Sequence, residues 1–574
     1  MSTRLMIFCM PLSIVTADSS ARTNPQIFAD ELARTLGKIA TAAGAAFGLT
    51  SSGIVQKVGG LGFQVDTDTG NWTSEIYGIV DPGTSSERIK WLASNEMPAH
   101  SARDLYTNTG GSSGAVFTGS VGGLDADLVS YIRGDDSLEG AGFQERDSLI
   151  GAIVGSQPFL QRQVNNDWSR LSDEDGGDTY EGYVEDKEDK PSVLYAGSNA
   201  GVLHAFSAQS GEEMFGYVPR GVWDGLEDLA DPDKPFRFTV DGEVVVTDAY
   251  DGTSWKTVLV GGLGAGGKAI YALDVSNPNT FNESEVMWEV TADDLASDPK
   301  AEPDDLGYTF AKPQVARLPN GDWAVVVGNG YGADDHQARL LVFDLFSGDV
   351  IGNIQAGTSG TEANPNGLSS PRVVRERPGE TNDRWVYAGD LHGNLWRFDL
   401  STIDSTTSIS TPFFNGEKNG DRPITAQPQT SYPGATGFAV SFGTGKFFEA
   451  DDSVVDDSTP DDYFFFVYDN DPAGSPPDLK LDDLADRSFT GATTGEQNEI
   501  EVGGTDRGWY VKFQDDGERL LSQPRVLPGG LGMVTYTTFV PSQDRCEPGR
   551  GQLALLAEHG KWPGCTRRRK PYGR

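Results

Sequence analysis

A short glycine-centred segment recurs along this chain, and it restricts the possible folds more than any other feature. Trp385 to Ser401 reads WVYAGDLHGNLWRFDLS, and Val193 to Gly211 reads VLYAGSNAGVLHAFSAQSG, with six matching residues at an offset of 192 positions. Looser copies run from Val258 to Ser276, from Ala324 to Gly348 and from Ala439 to Asp452. In each copy an apolar run leads to a glycine and a second apolar run follows. The chain therefore repeats one small structural unit.

The glycine after the first run sets the period of this repeat. It falls at Gly197, Gly261, Gly328, Gly389 and Gly443, with spacings of 64, 67, 61 and 54 residues. Alternating β-branched and aromatic residues predict a β-hairpin, with glycine supplying the positive φ of its turn. One hairpin cannot bury both of its faces, and repetition at about 40–65 residues is typical of a β-propeller. A β-sandwich with coincidental glycine hairpins is the alternative.

Composition agrees with an all-β protein and narrows the classes of partner. The chain has 574 residues, of which 71 are glycine and 10% are aromatic, a balance that suits turn-rich sheets better than helices. Its formal net charge of −40 argues against nucleic acid, because phosphate binding requires a basic face. No apolar run approaches the length of about 20 residues that crosses a bilayer, so we expect no transmembrane segment.

The sequence divides into three regions. We expect a smaller mixed N-terminal region over residues 1–140, a β-propeller over 141–560 and a disordered basic tail over 561–574. The first 21 residues can be interpreted as a secretion signal or as a buried strand. The apolar spacing in residues 30–47 predicts a helix.

Two short motifs suggest binding sites but have simpler interpretations. Gly262 to Gly267 satisfies G-x-G-x-x-G, yet a strand follows where a dinucleotide site requires a helix, so we interpret it as a hairpin turn. Arg133, Gly134 and Asp135 spell an integrin-binding tripeptide, and we expect Arg133 to pair with a nearby acid instead. Neither motif predicts a ligand.

Longer stretches carry a more specific signal. They include YIRGDDSLEGAGFQERDSLIGAIVGSQP at 131–158, DLGYTFAKPQVARLPNGDWAVVVGNGY at 305–331 and FGTGKFFEADD at 442–452. In content and order these stretches resemble the PilC/PilY proteins of type IV pili, in the C-terminal β-propeller domain of that family. The resemblance implies an all-β propeller of about seven blades, similar to the fold of quinoprotein dehydrogenases but without enzymatic activity.

The same resemblance implies a role and partners. Proteins of this family are secreted and exposed at the cell surface, the outer membrane or the periplasm of Gram-negative bacteria. They support pilus assembly with the minor pilins and the type IV pilus machinery, oppose retraction, and contribute to twitching motility and to adhesion to a host surface. In this chain the acidic loop from Asp451 to Asp462 is a candidate for contact with a cation or a pilin.

A calcium loop is the one cofactor site that the resemblance implies. The family places alternating aspartates just before the strand that here reads VYAGD, and a calcium ion is held by six to eight converging oxygens. At that position this chain offers Glu380, Asn382 and Asp383, with Arg375 and Arg377 adding positive charge. These three residues form the candidate metal site, in a degenerate version of the loop.

Two other classes of protein use similar propeller hairpins. Pyrroloquinoline-quinone dehydrogenases commonly place a vicinal disulfide against the cofactor, whereas Cys9, Cys546 and Cys565 are isolated in this sequence. Cys546 and Cys565 could instead pair with each other in an oxidising compartment. A periplasmic scaffold for outer-membrane assembly is the other alternative, and it matches only the generic hairpin. We assign no catalytic residue.

Overall fold

The computed structural model describes residues 56–58, 60–68, 71–82, 87–377, 379–416, 422–432, 437–449, 452, 454–455, 459–488, 507–526, 533–541 and 550–557. Within these ranges the chain forms seven β-sheets and three short α-helices. The helices are α1 (Ala126–Arg133), α2 (Tyr180–Glu188) and α3 (Trp223–Ala230). None of the helices in the described ranges has the length and apolarity to cross a bilayer.

We call the seven sheets blades 1 to 7, in chain order. Blade 1 contains β1 (Gln56–Val58), β2 (Leu61–Asp68), β3 (Thr73–Val80) and β4 (Arg88–Leu92). Blade 2 contains β5 (Leu105–Asn108), β6 (Gly114–Val116), β7 (Phe159–Gln161), β8 (Val193–Ser198), β9 (Val202–Ser207) and β10 (Glu213–Val218), in the spatial order β6-β5-β10-β9-β8-β7. Blade 3 contains β11 (Val244–Tyr250), β12 (Trp255–Gly262), β13 (Ala269–Asp274) and β14 (Val286–Thr291).

The later blades follow the same antiparallel plan with short additions at their edges. Blade 4 contains β15 (Gln314–Arg317), β16 (Trp323–Gly328), β17 (Arg339–Asp344) and β18 (Val350–Ala356), with β22 (Ser408–Ile409) added in parallel. Blade 5 contains β19 (Arg372–Arg375), β20 (Asp383–Gly389) and β21 (Leu395–Asp399). Blade 6 contains β23 (Gln429–Ser431), β24 (Phe438–Gly443), β25 (Tyr463–Asp469), β26 (Ala485–Asp486) and β27 (Gly508–Lys512). Blade 7 contains β28 (Arg519–Leu520), β29 (Arg525–Val526), β30 (Met533–Val540) and β31 (Arg550–Ala557).

The blades are arranged radially. Neighbouring inner strands contact one another in the sequence β7, β11, β15, β19, β23 and β29. The buried apolar side chains of the described residues group into six clusters, each lying between two consecutive blades. Sheets that each bury a face on the next sheet are what a β-propeller requires. The predicted all-β propeller of about seven blades is confirmed.

Residues before the expected boundary at 140 contribute strands to the blades. β5 pairs in parallel with β10, so blade 2 contains chain from both sides of residue 140. Parallel pairing has no hairpin signature, because the two strands are distant in sequence. The glycine repeat therefore gives no sign of this part of the propeller. The predicted helix at residues 30–47, the cysteines Cys9, Cys546 and Cys565, and the basic tail lie outside the described residues.

The repeat glycines lie within strands and not at turns. Gly197 lies in β8 and Gly389 ends β20, so the prediction of positive φ at these positions was wrong. Glycine is required there because the next blade approaches closely. A Cβ on Gly197 would lie 2.6 Å from the Val240 carbonyl oxygen, and one on Gly389 would overlap Ile424. The turn of the blade 5 hairpin is made by Gly393, at φ +80°.

Candidate functional site

The residues of the predicted metal site lie where β19 gives way to β20. Glu380 and Asn382 are in the connecting loop, and Asp383 is the first residue of β20. The side-chain oxygen of Asn382 accepts a hydrogen bond from the Arg317 guanidinium, and its amide nitrogen donates to the Pro319 carbonyl oxygen at 3.2 Å. The structure therefore turns Asn382 toward blade 4.

The Asp383 carboxylate is also held by arginines. Its Oδ2 accepts the backbone N–H of Arg317 at 3.0 Å, and its Oδ1 lies 3.7 Å from Arg375 Nε. Burial raises the pKa of Asp383 to about 6, although the Arg317 hydrogen bond and the nearby guanidinium groups oppose this rise. This carboxyl group is thus desolvated and engaged by protein donors.

Arg317 connects this loop to a distant segment. Its side chain is only 5% exposed, and a terminal nitrogen lies 2.9 Å from Asp175 Oδ1. Asp175 belongs to the stretch 162–192 that joins β7 to β8 in blade 2. The guanidinium of Arg375 lies 5.1 Å from the ring centre of Trp168 in the same stretch. We call Arg317, Arg375, Asn382, Asp383 and Asp175 the arginine cluster.

The arginine cluster does not fit a calcium ion. Calcium requires several convergent oxygens, but the candidate oxygens of Asn382 and Asp383 already face guanidinium groups or a peptide N–H. No hydrogen bond or ion pair joins Glu380 to either of them within the described ranges. In the part of the chain that the structure describes, no group of three or more His, Cys, Asp and Glu could hold a metal ion. Calcium binding at this position stays a prediction that the geometry disfavours.

A serine, a histidine and a glutamate form a hydrogen-bonded row inside blade 2. Ser198 Oγ lies 2.9 Å from His204 Nε2, and His204 Nδ1 lies 2.6 Å from Glu213 Oε1. Arg103 donates two hydrogen bonds to the same carboxylate, at 2.6 and 2.8 Å. Burial lowers the pKa of His204. A nucleophile must meet its substrate, and all these side chains are buried. The row resembles a hydrolytic triad in connectivity but ties three strands together.

The Arg133 side chain is used inside the fold. It donates to the carbonyl oxygens of Phe117 at 2.9 Å and Arg103 at 2.6 Å, where we expected an acidic partner. Carbonyl groups at the ends of loops and strands are often not paired with a backbone N–H, and a guanidinium supplies several N–H donors for them. Gly134 ends α1 with φ +106°. The tripeptide therefore has its arginine turned inward.

The G-x-G-x-x-G motif lies in a hairpin. β12 ends at Gly262 and pairs antiparallel with β13, which begins at Ala269. A Cβ on Gly266 would overlap the backbone of Thr239. The interpretation as a turn is confirmed, and close backbone approach explains the glycines.

A cavity of 230 Å³ lies between blades 2 and 3. At its wall Lys187 Nζ donates to Asp248 Oδ2 at 2.6 Å and to the Val164 carbonyl oxygen at 3.0 Å. Tyr180 and Asn166 also donate to this carboxylate, at 2.7 and 3.0 Å. A buried ion pair with this many hydrogen bonds is a structural element of the interface between the blades.

The end of blades 4 to 6 opposite the arginine cluster carries a group of aromatic rings, three of them exposed, that no sequence pattern indicated. Antiparallel strands place the loop after a first strand and the loop after a second strand at opposite ends of a sheet. Tyr331 follows the second strand of blade 4 and Phe448 follows that of blade 6, while Tyr308 and Phe310 precede β15. Tyr331 and Phe448 stack at 4.8 Å between ring centres, and Phe310 lies 5.4 and 5.6 Å from them. We call these four residues the aromatic patch.

The chain is similar to proteins of type IV pili. Residues 163–489 match the family described as PilY1 beta-propeller domain. The type IV pilus biogenesis factor PilY1 of Pseudomonas aeruginosa strain PAK is 33% identical over 474 residues, which are 74% of this chain and 39% of that protein. A PilY1 homolog of Xylella fastidiosa is 33% identical over 460 residues, 72% of this chain and 30% of that protein.

A solved structure gives the same result. The crystal structure of the Pseudomonas aeruginosa PilY1 C-terminal domain matches with a TM-score of 0.51 and 30% identity, covering 66% of this chain and 81% of that one. The chain spans less than half the length of the two curated relatives.

Proposed function

Because this chain belongs to the PilY1 β-propeller family, we propose that it is a non-enzymatic factor of type IV pilus biogenesis. The observation that carries the proposal is the family match over residues 163–489, which contains every strand from β8 to β26. Fold alone does not give function. Here the support comes from sequence identity to proteins named for pilus biogenesis as well as from the fold.

We also propose where the protein acts and which partners it has. The protein acts at the cell surface or periplasmic side of the outer membrane of a Gram-negative bacterium, together with minor pilins and the pilus machinery. There it favours assembled pili over retracted ones and supports adhesion to host surfaces and twitching. The loops at the ends of the blades make these contacts, because the blade interiors are occupied by apolar packing.

Non-enzymatic action is part of the proposal. The Ser198–His204–Glu213 row is buried, and its carboxylate is bound by Arg103. The sequence has three isolated cysteines and so lacks the vicinal disulfide common in quinone-dependent propeller dehydrogenases. Purified protein mixed with pyrroloquinoline quinone should therefore not reduce a dye with alcohols or sugars. Quinone-dependent turnover would favour the dehydrogenase alternative.

Deletion of the gene in its native host tests the proposal. Surface pili are counted after shearing and twitching zones are measured, in the parent and in a strain that cannot retract pili. We expect few surface pili and no twitching in the parent background, restored by the wild-type gene. Recovery of pili in the retraction-deficient strain would indicate that the protein opposes retraction, and continued loss would indicate a role in assembly. Unchanged piliation and twitching in both backgrounds would refute the proposal.

A further inference from the structure

The aromatic patch exposes rings that a propeller core would bury. Tyr308, Phe310 and Phe448 are 43%, 37% and 38% exposed, while Tyr331 lies beneath them and is buried. The rings come from two segments of blade 4, before β15 and after β16, and from one distant segment of blade 6, after β24, which meet at one end of blades 4 to 6. Contiguous exposed apolar patches often mark sites of contact with a partner.

The exposed rings are held in place by their backbones. The Tyr308 N–H donates to the Tyr331 carbonyl oxygen at 2.7 Å, which joins two of the segments. The N–H groups of Phe448 and Glu449 both donate to Asp452 Oδ2, at 2.9 and 2.8 Å. Little ordering of the backbone is therefore required when a partner binds, which favours affinity. Tyr and Phe also supply large contact areas with few rotatable bonds.

Charged side chains lie beside the aromatic patch and restrict the kind of partner that can bind there. Lys268 lies over the Tyr308 ring, and its Nζ is 3.2 Å from Asp334 Oδ1. Lys446 lies over Phe448, where it pairs with Glu449 and is 3.4 Å from Asp452 Oδ1. Both lysines are thus already matched by carboxylates.

In this group the carboxylates outnumber the lysines, because Lys268 and Lys446 face Asp334, Glu449 and Asp452. The side chains of Asp334 and Glu449 are 70% and 61% exposed and can accept further hydrogen bonds. The whole chain carries a formal net charge of −40. Such a surface repels nucleic acids and anionic membranes and attracts cationic groups.

We propose that the aromatic patch is the docking site for a pilin segment that carries apolar or aromatic side chains beside lysine or arginine. The apolar side chains stack on Phe310 and Phe448. The cationic groups pair with Asp334 and Glu449 or lie over the exposed ring faces, an arrangement that stabilises a bound cation. The choice of a pilin as partner rests on the proposed function, whereas the chemistry of the segment follows from the patch.

Binding of pilin peptides to the purified full-length protein tests this inference. Overlapping fluorescent peptides covering the exposed parts of the native host's pilins are titrated, and anisotropy is measured. We expect basic, apolar peptides to bind, and the Phe310→Ser/Phe448→Ser double variant to weaken their binding at least about tenfold. The matched control, Ile89→Ser/Tyr432→Ser, removes two exposed apolar side chains away from the patch and should bind within about twofold of wild type.

A separate variant tests the contribution of the acidic side chains to binding. Asp334→Asn/Glu449→Gln should reduce the salt dependence of binding while keeping the rings intact. If the double serine variant fails to fold, the single Phe448→Ala variant replaces it. Absence of any binding peptide, or equal binding by the wild type and the ring variants, would overturn the inference.

Complementation separates this inference from the proposed function. If the deletion strain loses pili and the Phe310→Ser/Phe448→Ser gene restores them fully, the docking inference fails while the function stands. If the ring variant behaves like the deletion and the matched control restores pili, both are supported. Normal piliation in the deletion strain combined with peptide binding lost in the ring variant would refute the function and support the docking chemistry.

Discussion

The two ends of blades 4 to 6 are formed by the same strands, but their side chains differ. At one end polar groups are paired with each other, and at the other end aromatic rings are exposed. In the arginine cluster, Arg317 forms an ion pair with Asp175 and donates a hydrogen bond to Asn382, so polar side chains of three chain segments satisfy one another. In the aromatic patch, Phe310 and Phe448 remain in contact with water. The polar groups at the first end are satisfied within the fold, whereas the rings at the second end are partly exposed.

This difference distinguishes residues that stabilise the fold from residues that we expect to contact a partner. A guanidinium that is removed from water must have hydrogen-bond acceptors, so a nearly buried arginine fixes the loops around it. A partly exposed ring stabilises the fold less than a buried one, and covering its exposed surface with a partner is favourable. We therefore expect substitutions in the arginine cluster to change stability, and substitutions in the aromatic patch to change binding.

A substitution in the packed core between the blades should have the largest effect on the free energy of unfolding. Trp396 is 3% exposed in the core between blades 4 and 5, and its indole N–H donates to Asp390 Oδ2 at 2.8 Å. Trp396→Ala should lower the free energy of unfolding by about 3–5 kcal/mol. Phe448→Ala in the aromatic patch should lower it by less than about 1.5 kcal/mol. Urea denaturation of both variants measures this, and equal losses would remove the distinction between core and patch rings.

The arginine cluster should give the next effect. Arg317→Ala removes a nearly buried guanidinium from Asp175 and Asn382, and should cost about 2–4 kcal/mol of unfolding free energy. Arg384 pairs with Glu376 and Asp399 nearer the surface, so Arg384→Ala should cost less than about 1 kcal/mol. Thermal melts of the two variants provide the comparison. An Arg317→Ala variant as stable as Arg384→Ala would show that the cluster does not hold its loops.

Asp241 is a buried carboxyl group that accepts hydrogen bonds but has no ion pair among the described residues. Burial raises the pKa of Asp241 to about 7, although hydrogen bonds from Gly155 and Asn199 oppose the rise. In the unfolded chain this pKa is about 4, so the folded state binds the proton more tightly and loses stability as pH rises from about 4 to 7.

Asp241→Asn removes this titration. Relative to wild type, the variant should gain about 1–3 kcal/mol of unfolding free energy between pH 5 and pH 8. The exposed Asp322→Asn serves as the control and should run parallel to wild type. Denaturant titrations at several pH values measure the difference. A constant offset between Asp241→Asn and wild type would show that Asp241 does not titrate in this range.

Calcium should have the smallest effect. Since guanidinium groups already engage Asn382 and Asp383, the melting temperature should be the same in millimolar calcium and in excess chelator. A saturable rise with calcium that disappears in Asp383→Asn would contradict this expectation. It would also show that the arginine cluster rearranges around a metal ion.

Sequence periodicity predicted the propeller because five of the seven blades, blades 2 to 6, repeat a hairpin with a glycine at a position where the next blade leaves little space. It could not predict the arginine cluster or the aromatic patch. Asp175 and Asn382 meet Arg317 only through the packing of different blades, and Phe448 reaches Tyr331 from another blade. Side chains that converge from distant segments leave no local pattern in a sequence.

The pairing of β5 with β10 also determines when blade 2 can form. Leu105 lies opposite Gly216, so more than a hundred residues separate the two strands in the chain. When the chain emerges from the ribosome N-terminus first, β5 can pair with β6 at once, but its other edge has no partner until β10 has been synthesised. Contacts between such distant residues form slowly, because closing a long loop reduces chain entropy before the contact stabilises it. A strand edge that stays open in this way can pair with another chain until β10 covers it.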